Sequence, residues 1–256
     1  MIAHTKAILN RVVDLVLCHQ SHRYISVFGG PISEISENTA YMSRKFPTVS
    51  TIISKTMPVE NLMVLRKWQE KMRKQMGDKE FNDYIARVKR LGKDVHQAIC
   101  DIIQGQRRIE DFSEPIDGYV RSLGTILPHV KATHLVEKDC FHPLLKYRGR
   151  LDSINSFNVG ESGYVLTEWK TVHESKRVTS LEKAYDAPMQ VAAYAGAYNF
   201  TRSPDMPEVR QGLIAYAYAD GYPADVLILD EVTLEHYFQT WVSRVEAYHQ
   251  SLRSID

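Results

Sequence analysis

Gly149-Arg150-Leu151-Asp152 and Thr167-Glu168-Trp169-Lys170-Thr171 decide how this chain is read. Apolar and β-branched residues around them predict two short strands, over 147–154 and 164–170. They are joined by a hairpin over 158–163 that holds Gly160 and Gly163. Residues two apart on a strand share a face, so Glu168 and Lys170 project side by side. Asp152, on the neighbouring strand, joins them. Two carboxylates and an ammonium on one sheet face oppose core packing unless they hold a cation. A hard metal ion beside a fixed ammonium is a device for hydrolysing phosphodiesters.

Working outward, 134–138 reads as a further strand carrying Glu137, and 211–219 and 224–229 as two more, turned at Asp220-Gly221. Helices are predicted over 62–77, 81–104, 120–127, 188–198 and 234–252. The helix over 81–104 repeats Ile85, Val88, Leu91, Val95, Ala98, Ile99 and Ile102 at a 3.6 period. On the 188–198 helix, Gln190 and Tyr194 are four apart and share a face, and its alanines make it slim enough to lie close on a sheet. The segment 46–53 is ordered and short, 110–118 is an acidic turn, and 173–177 is a charged loop. Strands alternating with helices give an α/β fold with a mixed central sheet flanked by helices.

The formal net charge is only +1, so any attraction to nucleic acid must be local. It is local between positions 66 and 93, where ten Lys or Arg face four acids. Arg66, Lys67, Lys71, Arg87 and Lys93 are among them, interleaved with Trp68, Phe81 and Tyr84. Cations among aromatics suit a single strand, whose phosphates are neutralised while its bases stack. A solvated helix face reads the same way and is commoner. Cys18, Cys100 and Cys140 are scattered, without the paired spacing of a zinc ribbon or a disulfide framework. No apolar run is long enough to cross a membrane, so no membrane partner is expected.

Two units are expected: an N-terminal segment over 1–45 and one domain over 46–256. The first has Lys6, Arg11 and Arg23 against the single acid Asp14 within its first 31 residues, with apolar residues at helical spacing. That is the composition of a mitochondrial presequence followed by a linker, and equally of an ordinary N-terminal helix.

Taken in order, Gly92-x-x-x-His96, Glu137, Gly149-Arg150-Leu151-Asp152, Glu168-Trp169-Lys170-Thr171 and Gln190-x-x-x-Tyr194 resemble the PD-(D/E)XK nuclease superfamily in its RecB-like and Cas4-like branch. Any one of these is weak; five in order on the right element types are specific. The wording at 168–171 and 186–194 is most similar to a group of mitochondrial exonucleases. The resemblance runs from about 46 to 248. Leu151 stands where the superfamily's proline would, and Glu168 where many relatives carry Asp. Relatives with an iron–sulfur cluster hold it with four cysteines, so no such cluster is expected here.

The resemblance implies a restriction-endonuclease-like core with an N-terminal helical arch, and Mg2+ or Mn2+ as cofactor. It implies Asp152 and Glu168 as principal ligands, with the Trp169 carbonyl, His96 and, as an auxiliary acid, Glu137. Lys170 would orient water and stabilise negative charge. Gln190 and Tyr194 would position water and phosphate, and Thr171 would bind a flanking phosphate. The implied substrate is single-stranded DNA at free ends or flaps, and the implied location the mitochondrial matrix; a monomer is expected. Two rivals remain open: a non-catalytic single-strand-binding module on the same fold, and an endonuclease acting on duplex DNA.

Overall fold

The computed structural model describes residues 26, 43–158, 163–172 and 176–253. Nearly all of the expected presequence and linker, with Cys18, lies outside the described residues. So do 159–162 of the hairpin and 173–175 of the charged loop.

Thr48 opens the body. Its hydroxyl accepts the N–H of Thr51 at 3.1 Å and caps helix α1 (Val49–Lys55). The β-branched wording of 48–53 disguises this helix, which a cap and the burial of Val49 and Ile52 stabilise. Helix α2 (Val59–Met76) and helix α3 (Asp78–Ile103) meet at Gly77, whose φ of +83° is a conformation that favours glycine. That residue fixes the break between the two expected helices. Helix α2 buries no residue of its own. Arg73 ties it to α3, with Nη1 2.6 Å from Asp78 Oδ1 and its guanidinium 4.5 Å from the centre of the Phe81 ring. The far half of α3 is different: Val95, Ala98 and Ile99 are buried against the sheet.

The helix expected over 120–127 begins earlier, as α4 (Asp117–Ser122), and then tightens into two 3-10 turns, the second containing Pro128. Gly118 explains the placement. A Cβ there would stand 1.9 Å from the Ala219 carbonyl oxygen, so only glycine lets α4 lie this close to the end of a strand.

Five strands form one sheet in sequence order: β1 (Val130–His142), β2 (Tyr147–Phe157), β3 (Val165–Val172), β4 (Gln211–Tyr218) and β5 (Asp225–Leu229). Neighbours are antiparallel except β3 and β4, which run parallel and are joined by the crossover helix α5 (Ala187–Thr201). Strand β1 is far longer than the expected 134–138, with register shifts near its start. As an edge strand it needs no continuous apolar face, so its polar wording hid it. Asp220-Gly221 is not a two-residue hairpin. The connection spans 219–224, because Arg177 Nη2 approaches Asp220 Oδ2 at 3.3 Å and the Ala224 N–H donates to the Ser122 carbonyl at 2.9 Å. Helix α6 (Glu231–Arg253) closes the fold; the Asp230 side chain accepts from the Thr233 N–H at 2.8 Å and starts it.

Side-chain alternation on the strands builds two cores. Leu166, Ile214 and Tyr216 meet α5 and α6, where Val191, Phe238 and Trp241 are buried. Val165, Trp169, Leu213 and Ala215 meet α3 and α4 on the other face. Each large side chain so buried contributes roughly 1.5–3 kcal/mol. The result is the expected mixed sheet with helices on both faces, and β3, carrying Glu168 and Lys170, is its middle strand.

Candidate active site

The site is a fork. Strands β2 and β3 pair at Asn155 with Val165, Ile154 with Leu166, and Ser153 with Thr167, and there the ladder stops. Asp152 and Glu168 are the next residues. Instead of a backbone bond, the Trp169 N–H donates to Asp152 Oδ2 at 2.9 Å. The N–H and C=O of a strand residue point to the same side, so the Trp169 carbonyl opens onto the same gap. The indole is fixed behind it, with Nε1 donating to Ser153 Oγ at 3.0 Å.

Glu168 and Lys170 face α5. Glu168 is 2% exposed, and its Oε1 accepts from Lys170 Nζ at 2.7 Å. The same ammonium donates to Gln190 Oε1 at 2.9 Å, and Gln190 Nε2 donates to the Tyr194 hydroxyl at 3.0 Å. The Tyr194 ring lies on Gly149, where a Cβ would be 2.3 Å from its Cε1. Burial alone would pull the Lys170 ammonium down; Glu168 and Asp152 outweigh it and hold the group above its ordinary value. Burial, then the charge of Glu168, push the Asp152 carboxyl well above the usual range, against the Trp169 N–H and Lys170.

The third side comes from α3 and β1. His96 Nδ1 lies 3.6 Å from Asp152 Oδ1 and 3.9 Å from Glu137 Oε1. One ligand atom from each of His96, Glu137 and Asp152 lies within 4.8 Å of the others, a group that could hold a metal ion. Glu137, expected as an auxiliary acid, thus shares the close group with Asp152, while Glu168 stands outside it on the lysine side. Glu137 takes a φ of +47° in the middle of β1, a costly conformation for a side chain with a Cβ. Arg150, which the sequence reading gave no role, reaches across the strand edge. Its Nε lies 3.2 Å from Asp139 Oδ1 and 3.8 Å from Glu137 Oε2.

The donor set suits a hard cation. It offers carboxylate oxygens, an imidazole and a backbone carbonyl. Glu168 Oε2 is buried and has no hydrogen-bond partner among the described residues, and a buried charged oxygen left alone is costly. A cation between the two carboxylates would relieve the repulsion between Glu168 and Asp152.

Two clefts flank the fork. One, of about 700 Å³, lies on the side of His96 and Glu137 and is bordered by Lys89, Lys93 and Arg150. The other, of about 580 Å³, continues past Lys170 and Thr171. Gly92 sits against Thr171, where a Cβ would be an ordinary 3.7 Å from Oγ1, so the close approach does not itself demand glycine. Arg87 and Lys93 are exposed on α3, and Arg66, Lys67 and Lys71 on α2. Among the described residues none of the five makes an ion pair. Lys93 borders a cleft; the three on α2 border neither.

No family model matches this chain. It is similar to the mitochondrial genome maintenance exonuclease 1 of Mus musculus, 32% identical over 210 residues, covering 82% of this chain and 60% of that protein. The protein of the same name from Homo sapiens is 29% identical over 210 residues, covering 81% and 59%. That from Xenopus tropicalis is 29% identical over 203 residues, covering 79% and 57%. The chain therefore spans about three fifths of the length of these relatives. Among the described residues no helix is long and apolar enough to cross a membrane.

Proposed function

We propose that this chain is a metal-dependent exonuclease of the PD-(D/E)XK type. It hydrolyses phosphodiester bonds of single-stranded DNA at free ends or flaps, in mitochondrial DNA maintenance within the matrix. The observation that carries this reading is the ion pair of part-exposed Lys170 with buried Glu168, 2.7 Å apart, in which the second Glu168 oxygen has no hydrogen-bond partner among the described residues. The names of the similar proteins, which are exonucleases of mitochondrial genome maintenance, support the substrate class and the compartment.

Asp152, Glu168, the Trp169 carbonyl, His96 and Glu137 would hold Mg2+ or Mn2+. Bound there, such an ion offsets phosphate charge, lowers the pKa of water and steadies the leaving oxygen. The remaining work falls to the chain. Lys170, held above its ordinary pKa by Glu168 and Asp152 against its burial, presents an ammonium at the edge of the gap, where a fixed positive group stabilises developing negative charge. Gln190 positions that ammonium, and Tyr194 positions Gln190. Thr171 offers its hydroxyl to the phosphate next along the strand. Exposed Arg66, Lys67 and Lys71 on α2, with Arg87 and Lys93 on α3, would attract the strand without reading its sequence.

The test is degradation of end-labelled single-stranded DNA with Mg2+ or Mn2+, comparing the wild type with Lys170→Ala, beside duplex and circular substrates. Metal-dependent loss of linear single strands that disappears in the variant supports the reading. Binding without cleavage under either metal overturns it in favour of a binding module on a nuclease fold. Efficient cutting of circles would show that free ends are not required.

A further inference from the structure

The cleft beyond Lys170 has a construction that catalysis at the fork does not call for. Tyr185 stands at its mouth, 71% exposed, with a φ of +52°. A bulky side chain in left-handed backbone is an outlier, and such strain gathers where a side chain must be aimed. The ring it aims is not packed into either core. It lines the cleft together with Lys176, whose Nζ is 5.8 Å from the ring centre and 3.5 Å from the hydroxyl. Lys183 lines the same wall, its Nζ 3.4 Å from Thr179 Oγ1. Arg177 also lines this wall, its Nη2 paired with Asp220 Oδ2 at 3.3 Å. Its guanidinium is clamped between Tyr218 at 4.0 Å and Tyr222 at 3.6 Å, and its Nη1 is buried without a hydrogen-bond partner among the described residues. Asp186, the one acid among the described residues that line this wall, lies 3.9 Å from Arg244 Nη2, which offsets it.

An exposed aromatic face, flexible lysines beside it and a catalytic ammonium at the inner end match one ligand chemistry. A nucleotide within a single strand has a flat base to stack and a phosphate to neutralise. We infer that this cleft is a nucleotide subsite, in which a base stacks on Tyr185 and the adjoining phosphate is held by Lys176 and Lys183. The strand then runs from the Lys93–Arg150 cleft, across the fork, and out over Tyr185. This rests on the nuclease reading above and adds to it the place of the nucleotide beyond the scissile phosphate.

The experiment uses the whole chain with Ca2+ replacing Mg2+, and short single-stranded oligonucleotides carrying one 2-aminopurine at successive positions. Stacking on Tyr185 quenches the 2-aminopurine at one position. In Tyr185→Gly, which removes the ring and relieves the backbone, that quench disappears and Kd rises about 5- to 100-fold. Tyr185→Trp keeps both quench and affinity. The Lys176→Ala/Lys183→Ala double variant lowers the slope of log affinity against log salt by about one. Thermal melts confirm that each variant is folded. Wild-type quench and affinity in Tyr185→Gly, or a bound oligonucleotide unquenched at every position, overturns the subsite and leaves the nuclease reading standing. A wild type that neither binds nor cuts single-stranded DNA overturns the nuclease reading itself.

Discussion

Asp152 takes the place of a backbone carbonyl for Trp169: its Oδ2 accepts the Trp169 N–H at 2.9 Å where β2 and β3 have ceased to pair. The other oxygen, Oδ1, faces His96 at 3.6 Å. One oxygen of this carboxylate thus holds the strand fork while the other faces the imidazole. Asp152→Asn keeps an acceptor for Trp169 and removes the charge. It is expected to fold, with a Tm within a few degrees of the wild type, while cleavage falls at least about 100-fold. Circular dichroism melts beside the nuclease assay check this; an unfolded variant would make the charge itself structural.

Binding of a cation at the fork has a readout independent of cleavage. Chelator-treated protein is expected to melt higher when Mg2+ or Mn2+ is added. The gain is about 1.4 kcal/mol at ten times Kd, a shift of about 3–5 °C for a domain of this size. His96→Ala and Glu137→Ala should weaken the shift, and Asp152→Asn should abolish it. An undiminished shift in Asp152→Asn would place the ion elsewhere.

Lys170 and Gln190 form one unit through their 2.9 Å hydrogen bond. Lys170→Ala is expected to cost roughly 100- to 1000-fold in kcat. Gln190→Ala, which leaves the ammonium in place with one anchor fewer, should cost roughly 10- to 100-fold. The double variant should be no slower than Lys170→Ala alone, since Gln190 acts through the lysine. Additive losses would give Gln190 a separate task at the substrate.

Much of this site was legible in the sequence because a strand alternates with period two. Glu168 and Lys170 must share a face wherever their strand lies, and Gln190 and Tyr194 must share one on any helix. The role of Glu137 was not legible in full, since nothing in its neighbours announces a left-handed residue inside an edge strand. Nor was Arg150, whose partners Glu137 and Asp139 lie on another strand. The second cleft draws Lys170 from β3, Tyr84 from α3 and Tyr185 from the crossover, so only the folded chain assembles it. Helix α1 was hidden for a simpler reason: β-branched residues lower helix propensity, and a cap with burial overrode it.

Gly149 is where the Tyr194 ring rests. Gly149→Ala would set a methyl carbon 2.3 Å from the ring, with Val49 also close, and overpacking of this kind costs about 1–3 kcal/mol. Tm should fall, and kcat with it, because Tyr194 steadies Gln190. The two changes Gly149→Ala and Tyr194→Ala should be strongly non-additive in denaturant melts. Independent effects would mean that the strand, not the ring, gives way.

His142 makes stability depend on pH. It is 1% exposed, stacks on Tyr147, lies tilted against Phe200, and its Nδ1 accepts the Leu145 N–H at 3.2 Å. Burial holds its pKa down at about 3. The unfolded chain takes up a proton near pH 6.5 and the folded chain does not, so this contribution is complete above pH 6.5 and is lost as pH falls toward 3. The loss approaches about 1.4 kcal/mol per pH unit within that window. His142→Asn, with an oxygen near the Nδ1 position, should be less stable at pH 7 and show a shallower decline between pH 6.5 and 4.5. Parallel declines in urea melts would remove His142 as the source.

Helix α2 buries none of its own residues and is tied to α3 largely through Arg73, Trp68 and Phe81 beside the Gly77 joint. Its attachment therefore releases at a small fraction of the free energy that unfolds the sheet. Its amide hydrogens should exchange with solvent long before those of β3. The helix that carries Arg66, Lys67 and Lys71 is thus the part of the described fold whose position is least fixed by burial.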